Sequence, residues 1–160
     1  MRRKDREISD QTQILSIMHA CESVCIAMED PHGDVPYLVA LSYGVETKEE
    51  EILLYFHSAL EGKKVELLNK NTKVRFFMHQ GHGVVYDPTK HSCTMNYESV
   101  SGIGYVEELQ GKEKLHGLDI LMQHYYPLDT PPYQEKVAEI TKVYCMHIES
   151  LTAKKREKRL

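Results

Sequence analysis

The chain has no tryptophan, three phenylalanines and four cysteines in 160 residues. No apolar run is long enough to cross a membrane, and the amino end lacks the apolar core of a signal peptide. A cytoplasmic protein with no membrane partner is therefore expected. The cysteines, Cys21, Cys25, Cys93 and Cys145, show no CxxC pairing, so reduced thiols are expected in place of a disulfide framework or a zinc ribbon. A basic surplus is also missing: the net charge is −4, which argues against a general nucleic-acid binder. Ten tyrosines are present, but they are scattered among strand-like segments and form no basic stacking groove.

What is present fits one globular domain. Hydrophobic residues make up 41% and charged residues 28%, and the length allows a real core. One domain over residues 1–160 is expected, with basic, frayed ends at about 1–8 and 152–160.

Periodicity predicts a short amphipathic helix over 10–20 and strands over 23–28 and 37–44, separated by the turn Asp30-Pro-His-Gly-Asp34. A hairpin tip at 48–51 leads into a buried strand over 52–57. After a helix ending at 69–71, strands are predicted at 73–79, 97–108 and 142–148. Gly102 and Gly104 read as bulge or close-approach sites. Residues 80–93 read as a long glycine- and histidine-rich loop. Helices are predicted at 112–125 and 133–139, broken by 126–132. Six short strands with helices at the margins predict a mainly β fold, a small antiparallel barrel with flanking helices.

The segment Leu53-Leu-Tyr-Phe-His-Ser-Ala-Leu-Glu-Gly-Lys-Lys-Val-Glu-Leu-Leu68 carries the most chemistry. Its strand turns abruptly into a helix, with Ser58 and Glu61 spaced as a capping box. Lys63 and Lys64 then sit in the first helical turn, where cations are unfavourable because the dipole is already positive. A bound anion would reverse that penalty, and Gly62 would let it approach the backbone. A solvated turn with solubilising lysines is the competing reading.

Three blocks taken together resemble a known family: Tyr37-Leu-Val-Ala-Leu-Ser-Tyr43; Leu54-Tyr-Phe-His-Ser-Ala59 with Gly62 and Lys64; and Tyr97-Glu-Ser-Val-Ser-Gly-Ile-Gly104. They are similar to the nitroimidazole-resistance proteins among the pyridoxamine-phosphate-oxidase-like split barrels. The likeness runs over nearly the whole chain. It implies a six-stranded FMN-binding split barrel that forms a homodimer with flavin at the subunit interface. It further implies that Val39, Ala40, Leu41 and Ser42 line the isoalloxazine, that Tyr55, His57 and Ser58 lie along the flavin, and that Gly62, Lys63 and Lys64 grip its phosphate. Tyr97 and Ser99 would face the other chain's flavin.

The residues themselves agree with that picture. A phosphate dianion needs charge-assisted hydrogen bonds, and an isoalloxazine needs an apolar slot with a few backbone donors. Because a flavin carries its own redox chemistry, no catalytic triad is required. The expected activity is reduction of a small aromatic or nitro compound with NAD(P)H as a candidate donor, and His57 is the candidate catalytic residue. The alternative is a non-catalytic flavin- or haem-binding protein. Arg75 is the only arginine between Arg6 and Arg156, which argues against oxidation of pyridoxamine phosphate itself. His79, His82, His91 and Cys93 are donors suited to a metal, but their spacing is irregular. No metal site is expected, and the glutamates read as solvated faces.

Overall fold

The computed structural model describes residues 3–157. Its elements are β1 (Glu7–Ile8), α1 (Gln11–Ala20), β2 (Val24–Met28), β3 (Tyr37–Leu41), β4 (Tyr43–Lys48), β5 (Glu51–Ala59), α2 (Lys63–Lys70), β6 (Lys73–Asp87), β7 (Ser92–Leu109), α3 (Gly111–Tyr125), α4 (Glu135–Glu139) and β8 (Thr141–Arg156). The strands form one antiparallel sheet in the order β3-β2-β6-β7-β8-β5-β4, with β1 added to β8. This is the expected split barrel with flanking helices.

Among the described residues the strand count is eight, not six, because the short β1 adds one and the predicted strand 37–44 is two strands. Its first half pairs with β2 and its second with β5. The chain turns a corner at Ser42, which joins the two ends of the strand order and all but closes the sheet on itself. The predicted loop 80–93 is also mostly strand: β6 continues to Asp87, β7 starts at Ser92, and only a short turn separates them. The glycines there hid the pattern, because a shift of register at Gly81/Val84 interrupts the alternation. A second register shift falls at Ile103/Gly104, as expected from the glycine. A Cβ on Gly104 would collide with the backbone carbonyl of His147.

The ends are less frayed than expected. Residues Lys154 to Arg156 belong to β8 and pair with β7, while Glu7 and Ile8 pair with Lys154 and Ala153. Residues 1, 2 and 158–160 lie outside the described residues. All four cysteines are free thiols.

Alternation builds two cores. Inside the barrel, Val24, Ile26, Leu54, Phe56, Phe76, Val100 and Met146 are fully buried, and α1 plugs one end with Ile14, Ile17 and Met18. Phe56 stacks on Tyr144 with ring centroids 5.3 Å apart. The buried Tyr43 hydroxyl donates to the Met18 carbonyl and lies 3.1 Å from the Cys21 carbonyl, tying β4 to α1. On the outside, Leu53, Tyr55, Leu109, Val143 and Cys145 pack with Leu118 of α3. β5 is therefore apolar on both faces, which explains its continuous hydrophobic run.

Candidate functional site

The pairing of β4 with β5 begins at Tyr43 opposite Phe56. Beyond that point β5 keeps β8 as its neighbour on one side only, since His57, Ser58 and Ala59 pair with Val143, Lys142 and Thr141. β3 likewise pairs with β2 alone. Two open backbone edges thus spread from the Ser42 corner, and this is the split in the barrel. The turn into α2 stands at its mouth.

The cap of α2 differs from the expected one. Ser58 is buried in β5 and its Oγ donates to the Ala59 carbonyl at 2.7 Å, so it caps nothing. Gly62 is the N-cap residue, with φ +129° and ψ 170°. A Cβ there would meet nothing within 4 Å, so the backbone conformation, reserved almost wholly for glycine, is what requires Gly62. Among the described residues, no side chain caps the first N–H groups of the helix. They are left for water or an anion.

The two lysines are not equivalent. Lys63 Nζ lies 2.7 Å from Asp30 Oδ2, and that bond, first among the causes, holds the Asp30 carboxyl below its ordinary range. Lys64 Nζ instead donates to the His57 carbonyl at 3.1 Å. It has no carboxylate partner among the described residues, and burial lowers its pKa. His57 reaches solvent, yet burial of its ring and then the Lys64 charge lower its pKa too. The turn therefore holds one compensated cation, one uncompensated cation and a histidine kept neutral near pH 7.

The remaining expected residues separate into groups. Val39 and Leu41 pack against the barrel core, whereas Ala40 and Ser42 are exposed on the alternate face; the four share no single surface. Tyr55 lies apart from these, buried under α3, with its hydroxyl donating to Glu46 Oε2 at 2.8 Å. Tyr97 and Ser99 are opposite Gly81 and His79 on β6. α2 leads into the other end of β6, at Lys73, and at the rise of a strand Ser99 and Tyr97 lie opposite positions roughly 20 and 26 Å along β6 from that end.

The histidine-rich segment does not assemble. His79 stacks between Phe77 and Tyr97, His82 pairs with Glu98 at 2.8 Å, and His91 lies 3.3 Å from the Tyr86 hydroxyl. A different set does converge, in a cleft of about 350 Å³ at the other end of β5, lined by residues of β4, β5, β7, β8 and α3. There His147 bonds Glu51 through Nδ1 at 2.8 Å and Glu107 through Nε2 at 2.9 Å, contacts that raise its pKa, the Glu107 bond most. Across the cleft His116 Nε2 meets Glu46 Oε2 at 2.9 Å. These glutamates looked like solvated faces because the partners come from distant strands. Only the register of β7 and β5 on β8 reveals the grouping.

The model of the pyridoxamine 5'-phosphate oxidase family matches residues 10–155. The chain belongs to this family. Its fold is similar to that of a candidate 5-nitroimidazole antibiotic resistance protein from Bacteroides thetaiotaomicron, with 33% identity, 92% of this chain and 85% of that chain covered, and a TM-score of 0.79. That match bears out the resemblance to nitroimidazole-resistance proteins. Two more distant structures share the fold. The FAD and heme binding protein from Mycobacterium smegmatis has 15% identity, coverage of 96% and 74%, and a TM-score of 0.80. The flavocytochrome Anf3 from Azotobacter vinelandii has 19% identity, coverage of 99% and 72%, and a TM-score of 0.73. No curated protein matches the chain. Among the described residues, no helix is long and apolar enough to cross a membrane.

Proposed function

We propose that this family member binds FMN and reduces a small aromatic or nitro compound, in the manner of the 5-nitroimidazole-resistance proteins, with electrons from NAD(P)H. The observation that carries the reading is Lys64: a half-buried cation with no counter-carboxylate among the described residues, beside a helix N-terminus without a side-chain cap at the mouth of the split. A phosphate dianion satisfies both the ammonium and the free N–H groups. Lys63 contributes by exchanging or sharing Asp30, and Gly62 lets the anion approach the backbone.

Ala40 and Ser42, exposed beside the open edge of β3, suit the ring system. When bound, the flavin supplies the electron-transfer chemistry. The chain's own part is to hold, orient and shield. His57, kept neutral, is placed to hydrogen-bond the cofactor or substrate at the strand end, and is the residue chosen for a proton-handling role.

A homodimer is part of the proposal. Tyr97 and Ser99 of β7, opposite the end of β6 away from α2, are assigned to the partner's site. The outer face of β3, β2 and β6 carries a row in register of Ala40, Cys25 and Phe77, the last 46% exposed, with Leu38, 65% exposed, in the next row opposite Ala27. An apolar face of this kind suits a subunit contact.

The test is the absorption spectrum of the purified protein. Flavin bands that bleach with NAD(P)H and return on adding a nitroimidazole support the enzyme. Flavin bands that NAD(P)H leaves unchanged support a non-catalytic binder. A Soret band replaces flavin by haem, and no chromophore after incubation with FMN overturns the reading.

A further inference from the structure

We propose that the cleft at the Glu51 end of β5 is a zinc site, with Glu107, Cys145 and His147 as ligands and Glu51 as the carboxylate that orients the His147 ring. The three ligands come from two adjacent strands. Cys145 and His147 are two residues apart on β8 and share a face, and Glu107 of β7 is directly opposite Cys145. One donor atom from each lies within 4.8 Å of the others. A tetrahedral zinc with bonds of about 2.0 to 2.3 Å spaces its donors roughly 3.3 to 3.8 Å apart, so small side-chain rotations close the set around an ion.

The donors are those of a transition metal. Sulfur, imidazole and carboxylate together disfavour magnesium and calcium, which take oxygen ligands, and suit zinc. The supporting contacts are also in place. Glu51 holds His147 Nδ1 at 2.8 Å, leaving Nε2, which faces Glu107, to turn to a metal; a carboxylate behind a ligating histidine is a common second layer in zinc sites. Cys145 is 3% exposed and lines the floor of the cleft, so the thiol is shielded from bulk oxidants while its sulfur faces the other donors. The cleft carries five glutamates against one lysine, a field that draws in a cation. His116 and Glu46 line the same cleft, which has room for water or a small ligand as a fourth ligand.

A network of ion pairs around His147 would account for Glu51 and Glu107 without any role for sulfur. The experiment therefore reads the sulfur. Full-length protein, purified with its native cofactor and stripped with a chelator, is titrated with Zn²⁺ by calorimetry, and the zinc K-edge fine structure is recorded. One equivalent per chain is expected, with one sulfur scatterer at about 2.3 Å. Cys145→Ser should remove the sulfur shell, and the surface changes Glu107→Gln and His147→Gln should each weaken binding at least tenfold, with circular dichroism confirming the fold. Absence of stoichiometric zinc, a zinc shell without sulfur, or affinity unmoved by both surface variants overturns the site.

Discussion

The two ends of β5 carry opposite chemistry on one continuous strand. At Glu51 the cleft gathers carboxylates, imidazoles and a thiol; at Ala59 the turn gathers two lysines and a neutral histidine. About 27 Å separates them at the rise of an extended strand, well beyond a Debye length in physiological salt. The centre between them, Leu53 to Phe56, is buried on both faces. One rigid, doubly buried strand thus presents an anion-seeking end and a cation-seeking end without letting either neutralise the other.

The largest expected effect comes from breaking that shared strand. Phe56 is fully buried in the barrel and stacked on Tyr144, so Phe56→Ala should cost about 3–5 kcal/mol in urea unfolding and weaken ligand binding at both ends together. A variant that lost only one end would show that the ends fold independently.

Next in size is the contrast between the lysines. Loss of a charge-assisted bond costs about 1.5–3 kcal/mol, so Lys64→Ala should weaken FMN roughly 10- to 100-fold in fluorescence titration. Lys63→Ala should cost only a few-fold, because Asp30 already competes for its charge. Equal losses would make the ion pair with Asp30 irrelevant.

Tyr55→Phe should remove the bond to Glu46 for about 1 kcal/mol of stability and leave FMN affinity unchanged, since the ring is sealed under α3. A change in flavin affinity would place Tyr55 at the cofactor.

The smallest effect is in pH. Burial and Lys64 set the His57 pKa below its ordinary 6.5, so the unfolded chain binds the extra proton first as pH falls. His57 therefore contributes no penalty above 6.5 and an increasing one below it. His57→Gln should flatten the fall in melting temperature below pH 6.5, and bound FMN, whose phosphate would stabilise imidazolium, should flatten it in the wild type.

Much of this was legible from residues alone, for reasons the structure makes plain. β5 and the helix over residues 111–125 announced themselves because burial on two faces and a 3.6-residue stripe leave strong patterns. Gly62 and the lysines were found for their chemistry, although the capping box at Ser58 was an illusion: a serine three residues before a glutamate fits a cap only if a helix starts there, and β5 runs on to Ala59. The corner at Ser42 left no mark, since Tyr37 to Tyr43 reads as unbroken β sequence and only the choice of partners divides it. The cleft at Glu51 was invisible for the same reason. His147, Glu107 and His116 are distant in sequence, and no local pattern encodes a register.

β8 pairs with β1, β5 and β7, so the last strand of the sheet to leave the ribosome serves three that leave before it. Until it emerges, β5 and β7 each keep a bare hydrogen-bonding edge, and their apolar residues lie open to other nascent chains. Closure thus waits on pairing β8 with strands far from it in sequence, β5 above all, the kind of topology that folds slowly. Chaperone dependence during synthesis, and aggregation of chains truncated before Thr141, follow from where one strand stands in the order.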